Sequence, residues 1–167
     1  FGNLKSKYWF VGLEEGGSGT EEVVKAKIKA WDDRGKQVVE DLSTFHEVVN
    51  NPLKEMGKYF PFTWRVYIRI MLTFNTNGRF LKLDSETQNE SMKSYLLDGF
   101  SKTVEGSECL LEIGPLPSPR TNVWNYSHFP AFSMIEDLSD RDKCMNKYRP
   151  LRREKIKKLI EKIHYDL

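Results

Sequence analysis

Two adjacent carboxylates, Glu14 and Glu15, stand inside a glycine-rich stretch, GLEEGGSG, at 12–19. Gly12, Gly16, Gly17 and Gly19 keep the stretch almost bare of side chains, so it can take positive φ and admit another molecule to its backbone. Paired carboxylates in such a place can position a water, accept a hydrogen bond from a base or sugar, or hold a hard metal ion. Alternatively they are solvated, or they cap the helix that follows. A phosphate is not expected there. The stretch lacks both GxGxxG and GxxxxGK[ST], patterns that hold phosphate on bare N–H groups near a helix N-terminus, and two negative charges would repel the ligand.

A second chemistry-bearing stretch is ECLLEIGPLPSPRTNVWNY, at 108–126. Gly114 and the prolines at 115, 117 and 119 make a stiff, extended loop, because proline fixes φ and removes an N–H donor. The loop carries Ser118, Arg120, Thr121 and Asn122, which can reach a phosphate or a base edge, and then the aromatic residues Trp124 and Tyr126. Long polar and aromatic loops of this kind serve binding more often than plain connection. The candidate ligand contacts are therefore Gly12, Gly16, Gly17, Ser118, Arg120, Asn122 and Trp124.

The elements that must position these loops follow from hydrophobic pattern. Tyr8, Trp9, Phe10 and Val11 form an unbroken apolar run, as in a strand covered on both faces. Thr20 is the expected N-cap of a helix with Glu21 and Glu22 in its first turn and Val24, Ile28 and Trp31 on one face. Strand, glycine loop and helix together describe the carboxyl end of a strand in an open α/β sheet, where such folds bind ligands. Cys109, Leu110, Leu111 and Ile113 give a second short strand leading into the proline loop. Between them, Thr63 precedes the most apolar helix, in which Trp64, Tyr67, Ile68, Met71 and Leu72 face one way, Val66, Ile70 and Phe74 fill the flanks, and Arg65 and Arg69 interrupt. Ser85 is expected to cap another helix that ends at Gly99, and His46, in polar surroundings, is expected at the surface. A last helix is expected over 151–163, with Ile156, Leu159, Ile160 and Ile163 as its inner stripe.

Composition narrows the class. A chain of 167 residues has the size of one domain, and a net charge of +2 is too small by itself to imply nucleic acid. The charge is unevenly placed: residues 141–164 carry +7 against −5 for the remainder. The basic final helix is either a solvated face or a sequence-independent nucleic-acid surface. With two cysteines, no signal peptide and no apolar stretch of transmembrane length, a reduced, cytoplasmic protein with no membrane partner is expected. Cys109 lies in an apolar run, as buried free thiols do, and the scattered histidines and cysteines make no zinc site. Beginning at Phe1 without an initiator methionine and ending directly after a helix-like segment, the sequence is compatible with a piece of a longer chain. Nothing in it specifies an oligomeric state.

With both loops in view, the pattern resembles the uracil-DNA glycosylase superfamily. Its members open with a hydrophobic strand ending in a glycine loop of forms like GQDPY, GEAPG or GINPG, and FVGLEEG at 10–16 looks like a variant. A later strand in that family ends in a proline-containing loop, and a helix then leads to another strand, an order similar to 110–120 followed by the 151–163 helix. The resemblance implies one domain over 1–167, three-layer α/β/α with a short, mostly parallel central sheet flanked by helices. It also implies a DNA or nucleotide ligand, no metal or other cofactor, Glu14 in the place of the catalytic Asp or Asn, and Glu15 in the place of the usual Pro. The sequence departs from the family in its final loop: PLPSP at 115–119 lacks the family's histidine and comes early, and the family's last strand and loop have no counterpart after Ile163. Two functions follow as expectations. One is hydrolysis of the N-glycosidic bond of a damaged base, with Glu14 or Glu15 acting on water or on the developing sugar cation. The other is nucleic-acid or nucleotide binding without chemistry, through Arg120, Asn122 and the basic helix.

Overall fold

The computed structural model describes residues 1–13, 16–17, 19–51, 53, 55, 61–104, 107–120 and 122–165, with side chains through 163. It is a mixed helix and strand structure. In chain order the main elements are β1 (Tyr8–Gly12), α1 (Glu21–Asp33), α2 (Leu42–Val48), α3 (Phe62–Asn75), α4 (Ser85–Asp98), β2 (Glu108–Glu112) and α5 (Arg141–Tyr165), with short 3₁₀ turns at Arg79–Lys82, Tyr126–His128 and Glu136–Leu138. β1 and β2 pair as a small two-stranded parallel sheet. The chain divides into two compact units, Phe1–Phe10 with Gln37–Cys109, and Val11–Lys36 with Leu110–Leu167. Among the described residues no helix is long and apolar enough to cross a membrane.

In the first unit, α3 and α4 pack together around Ile68, Met71, Met92, Leu96 and Phe100, all buried. The rings of Phe10 and Tyr67 stack at 4.4 Å and those of Tyr8 and Phe74 at 5.3 Å, tying the start of β1 to α3. Only one face of α3 is covered. Trp64, Tyr67 and Leu72 are half-buried, whereas Val66, Ile70 and Phe74 face solvent instead of filling buried flanks. The helix begins at Phe62 after Pro61, so that Thr63, expected to precede it, is its second residue, and α4 is capped by Asp84, whose carboxylate accepts from Thr87 N at 3.0 Å, with Ser85 as the first helical residue.

His46 is buried, not superficial. It falls on the same face of α2 as Leu42 and Phe45, and the left-handed turn at Asn50 (φ 55°) carries the chain back so that the Asn51 carbonyl meets Nδ1 at 3.1 Å. Phe45 and Trp64 meet the imidazole at right angles.

Glu108 enters β2 fully buried, with Tyr95 Oη donating to Oε2 at 2.8 Å and Ser101 N donating to Oε1 at 2.6 Å. Burial pushes its pKa above the ordinary value of 4.5, against the opposing pull of the Ser101 and Tyr95 hydrogen bonds. Folding therefore binds protons at this site. Its contribution to stability is fully present below the ordinary glutamate range and is lost as pH rises through the raised value, by ~1.4 kcal/mol for each unit of displacement.

In the second unit, Val24, Tyr126, Leu138 and Cys144 form the core, with Leu116, Trp124, Phe129, Phe132 and Tyr148 packed against them. Thr20 Oγ1 caps α1 by accepting from Val23 N. The expected stripe on α1 is covered only at Val24; Ile28 and Trp31 are 42% and 41% exposed. Aromatic residues of the segment around 124–132 pack on Val24, and Ala131 N donates to the Glu21 carboxylate, so this segment covers the beginning of α1. α5 begins ten residues before the expected start and runs through Pro150. Asp140 caps it through Lys143 N, and Cys144, Met145 and Tyr148 bury its first turns, which holds the helix across a proline that normally ends one. Further on, Ile156, Leu159 and Ile163 are half-buried and Ile160 is exposed.

Glu108→Gln keeps acceptor and shape but cannot ionise. Urea unfolding between pH 4 and 8 should show the variant gaining stability over the wild type as pH rises. A constant difference would mean that Glu108 does not titrate on folding.

Candidate functional site

The two parallel strands deliver their following loops to one place. Past the ends of β1 and β2, Ile113 N donates to Gly12 O at 3.0 Å and Gly114 N donates to Leu13 O at 2.5 Å. Beyond these, Gly16 and Ser118 form an isolated parallel bridge. The glycine loop and the proline loop are thus joined backbone to backbone at the carboxyl end of a parallel pair, where an open α/β sheet places its ligand.

The loops are opposite in character. Gly16, Gly17 and Gly19 are exposed, and a Cβ built on any of them would meet nothing within 4 Å. Gly17 needs its freedom for φ 93°, but Gly16 and Gly19 are required by no neighbour in the protein, which leaves the backbone open to another molecule. The proline loop is fixed from within. Ser118 is buried with its hydroxyl 2.7 Å from the Arg120 carbonyl and 2.6 Å from the Val123 carbonyl, and Tyr126 Oη donates to the Pro117 carbonyl at 2.8 Å. Trp124 Nε1 donates to the Leu138 carbonyl at 2.9 Å, and its ring packs on the core. Asn125 Nδ2 reaches across to the Gly19 carbonyl at 3.2 Å, a second tie between the loops.

Of the sequence-predicted contacts, Gly16, Gly17, Arg120 and Asn122 are exposed at these loops. Ser118 and Trp124 support the proline loop, and Tyr126 is a core residue rather than part of an aromatic rim. Glu14, Glu15 and Thr121 lie outside the described residues.

Gly12 has a different purpose. A side chain there would collide with both carboxylate oxygens of Glu112, which lie against the β1 backbone with Oε2 shielded from solvent. From α5, the guanidinium of Arg152 forks onto the Glu112 carbonyl, with Nε at 2.9 Å and Nη2 at 2.7 Å. Burial draws the Arg152 pKa down, and the Glu112 charge works against that shift. A carboxylate and a half-buried cation at the end of β2 are the residues that sequence reasoning missed. The signal was present in ECLLE: a charged residue closing an apolar strand just where the proline loop departs.

Other chemistry is remote from the described geometry. Cys109 and Cys144 are free and buried, and burial pushes both thiols up to about 11, which makes them poor nucleophiles. Among the described residues, no three His, Cys, Asp or Glu side chains stand together as metal ligands. A shallow groove in the first unit runs beside Ser91, Ser94 and Tyr95, but its serine hydroxyls bond within α4, to the Thr87 carbonyl and the Asp98 carboxylate.

The two glycines predict contrasting costs. Gly12→Ala must displace the Glu112 carboxylate and should lose about 1–2 kcal/mol in urea unfolding, whereas Gly16→Ala should stay within about 0.5 kcal/mol. Ser118→Ala removes the hydroxyl donor from the half-buried Val123 carbonyl and should lose about 1–3 kcal/mol. A Gly16→Ala cost equal to that of Gly12→Ala would show that the glycine loop is packed rather than open.

No family model, no curated protein and no solved structure matches the chain, so the geometry of these two loops is the ground on which its function is argued.

Proposed function

We propose that the chain is a uracil-DNA glycosylase-like, three-layer α/β/α domain that hydrolyses the N-glycosidic bond of a damaged base in DNA at the joined loops. The observation that carries this is the Gly16–Ser118 bridge, which sets the loop containing Glu14 and Glu15 against the stiff loop containing Arg120 and Asn122. In this reaction the bond between C1′ and the base nitrogen breaks, the base leaves with the electron pair, and a water oxygen bonds to C1′. The carboxylate at Glu14 or Glu15 stabilises the cationic sugar and takes the proton that the water gives up, which returns to the departing base. The open glycine backbone gives a flipped base room to enter, and a proline loop braced by Ser118 and Tyr126 keeps its contacts in place without ordering them on binding.

A second function, binding of nucleic acid or a nucleotide without chemistry, is favoured by one observation: Arg120 and Asn122 are exposed close in sequence to the Gly16–Ser118 bridge. The two are separated by oligonucleotides carrying uracil or other modified bases, with release of the base as readout. Excision by the wild type, lowered at least ~10²-fold in Glu14→Gln or Glu15→Gln with affinity kept, is the outcome expected of the enzyme. Binding with no excision across the panel would leave only the binding module.

A further inference from the structure

We infer that the Lys155, Lys158 and Lys162 stripe of α5 is a docking ridge for the phosphate backbone of a nucleic acid, distinct from the strand-end loops. This deepens the nucleic-acid reading above by assigning it a partner surface. Over Arg141–Tyr165 the helix carries ten Lys or Arg against three Asp or Glu. Its inner face is accounted for by Cys144, Met145, Tyr148, Arg152, Ile156, Leu159 and Ile163, which are buried or half-buried. Arg153, Lys155, Lys157, Lys158 and Lys162 stand exposed. Neutralisation along the ridge is slight. Lys157 and Lys158 meet Glu161 and Glu154 only at 3.9 and 4.0 Å, and Arg153, Lys155 and Lys162 have no carboxylate in reach among the described residues.

The chemistry of the ridge selects its partner. Lys155, Lys158 and Lys162 follow the i, i+3, i+7 spacing of one stripe, spread along a rod at ~1.5 Å per residue and suited to a line of phosphates, whereas Arg153 and Lys157 lie on the other flank of the helix, across Glu154 and Glu161. A helix that lies in a bilayer surface needs a broad apolar face to insert. Here the exposed apolar residues are Leu151 and Ile160 alone among the described part of the helix, so a membrane fits poorly. Position supports the same partner. Arg152, on the inner face, bonds the Glu112 carbonyl at the strand end, so a strand lying along the stripe is within about one helix diameter, ~10 Å, of the candidate site.

The test uses the full chain and a fluorescent 20-base-pair DNA duplex, with anisotropy read from 50 to 200 mM salt. Three phosphate contacts give a slope near −2.7 in log affinity against log salt, or about 40-fold weaker binding across that range. Replacing Lys155, Lys158 and Lys162 by glutamine, a good helix former, should flatten the slope by about 2.7 and weaken binding at least ~10-fold at 100 mM salt, with the helical circular dichroism kept. Should that variant misfold, the pair Glu154→Gln and Glu161→Gln removes the two loose partners and should tighten binding about threefold. Absence of binding at 50 mM salt, a slope that survives the three substitutions, or equal affinity for phosphatidylserine vesicles would overturn the proposal. Excision is scored on the same preparations: an inactive wild type with the full slope overturns the excision chemistry alone, and an active wild type whose slope ignores the substitutions overturns the ridge alone.

Discussion

Parallel pairing between β1 and β2 is the constraint on which the candidate site depends. Parallel strands cannot be joined by a tight turn, and here residues 13–107 separate the two. Closing so long a connection costs little more than closing a minimal crossover of a dozen residues, about 2 kcal/mol for roughly three doublings of length. Burial of Cys109, Leu110 and Leu111 on β2 outweighs that, at about 1.5–3 kcal/mol for a large apolar side chain. An isolated two-stranded sheet would be marginal in water. This one persists because β2 is covered from Glu108 through Leu111, and because its last carbonyl, at Glu112, is taken by Arg152 instead of being left to the departing loop.

From that pairing follows the division of labour between the loops. Backbone hydrogen bonds continue past the strands to Gly16 and Ser118, so both chains leave the sheet in register. One is open at Gly16, Gly17 and Gly19, the other held by the hydroxyls of Ser118 and Tyr126 and by the indole of Trp124. A binding site gains from such asymmetry: a rigid wall fixes orientation while a bare backbone permits close approach. Of the expected ligand contacts, Ser118 and Trp124 are spent on rigidity, while Arg120 and Asn122 stay exposed.

Local signals were legible where local physics decides. The run at 8–11 is a strand, though half-buried with Val11 exposed instead of covered on both faces, Thr20 caps α1, the apolar residues before Gly114 are a strand, and Gly99 closes α4. What the sequence hid depends on contacts between distant residues. Trp124 and Tyr126 sit among polar neighbours and look exposed, but Val24, Leu138 and Cys144 come together around them. His46 looks polar until the turn at Asn50 returns a carbonyl to it. Pro150 signals a stop, and a helix already capped by Asp140 and buried at Met145 passes through it. Arg152 is indistinguishable in sequence from the cations beside it, and only the approach of β2 gives it a carbonyl to hold.

That last case sharpens the meaning of the charge on α5. A solvated helix face requires polar side chains, not side chains of one sign, and like charges three or four residues apart weaken a helix by a few tenths of a kcal/mol each. Lys155, Lys158 and Lys162 have that spacing, with Glu154 and Glu161 too few and too distant to balance the set. The helix tolerates the repulsion because its inner face is anchored by Met145, Tyr148 and the Arg152 bonds. A ridge of mutually repelling cations is a small standing cost in the free protein, and a line of phosphates is the kind of partner that relieves it.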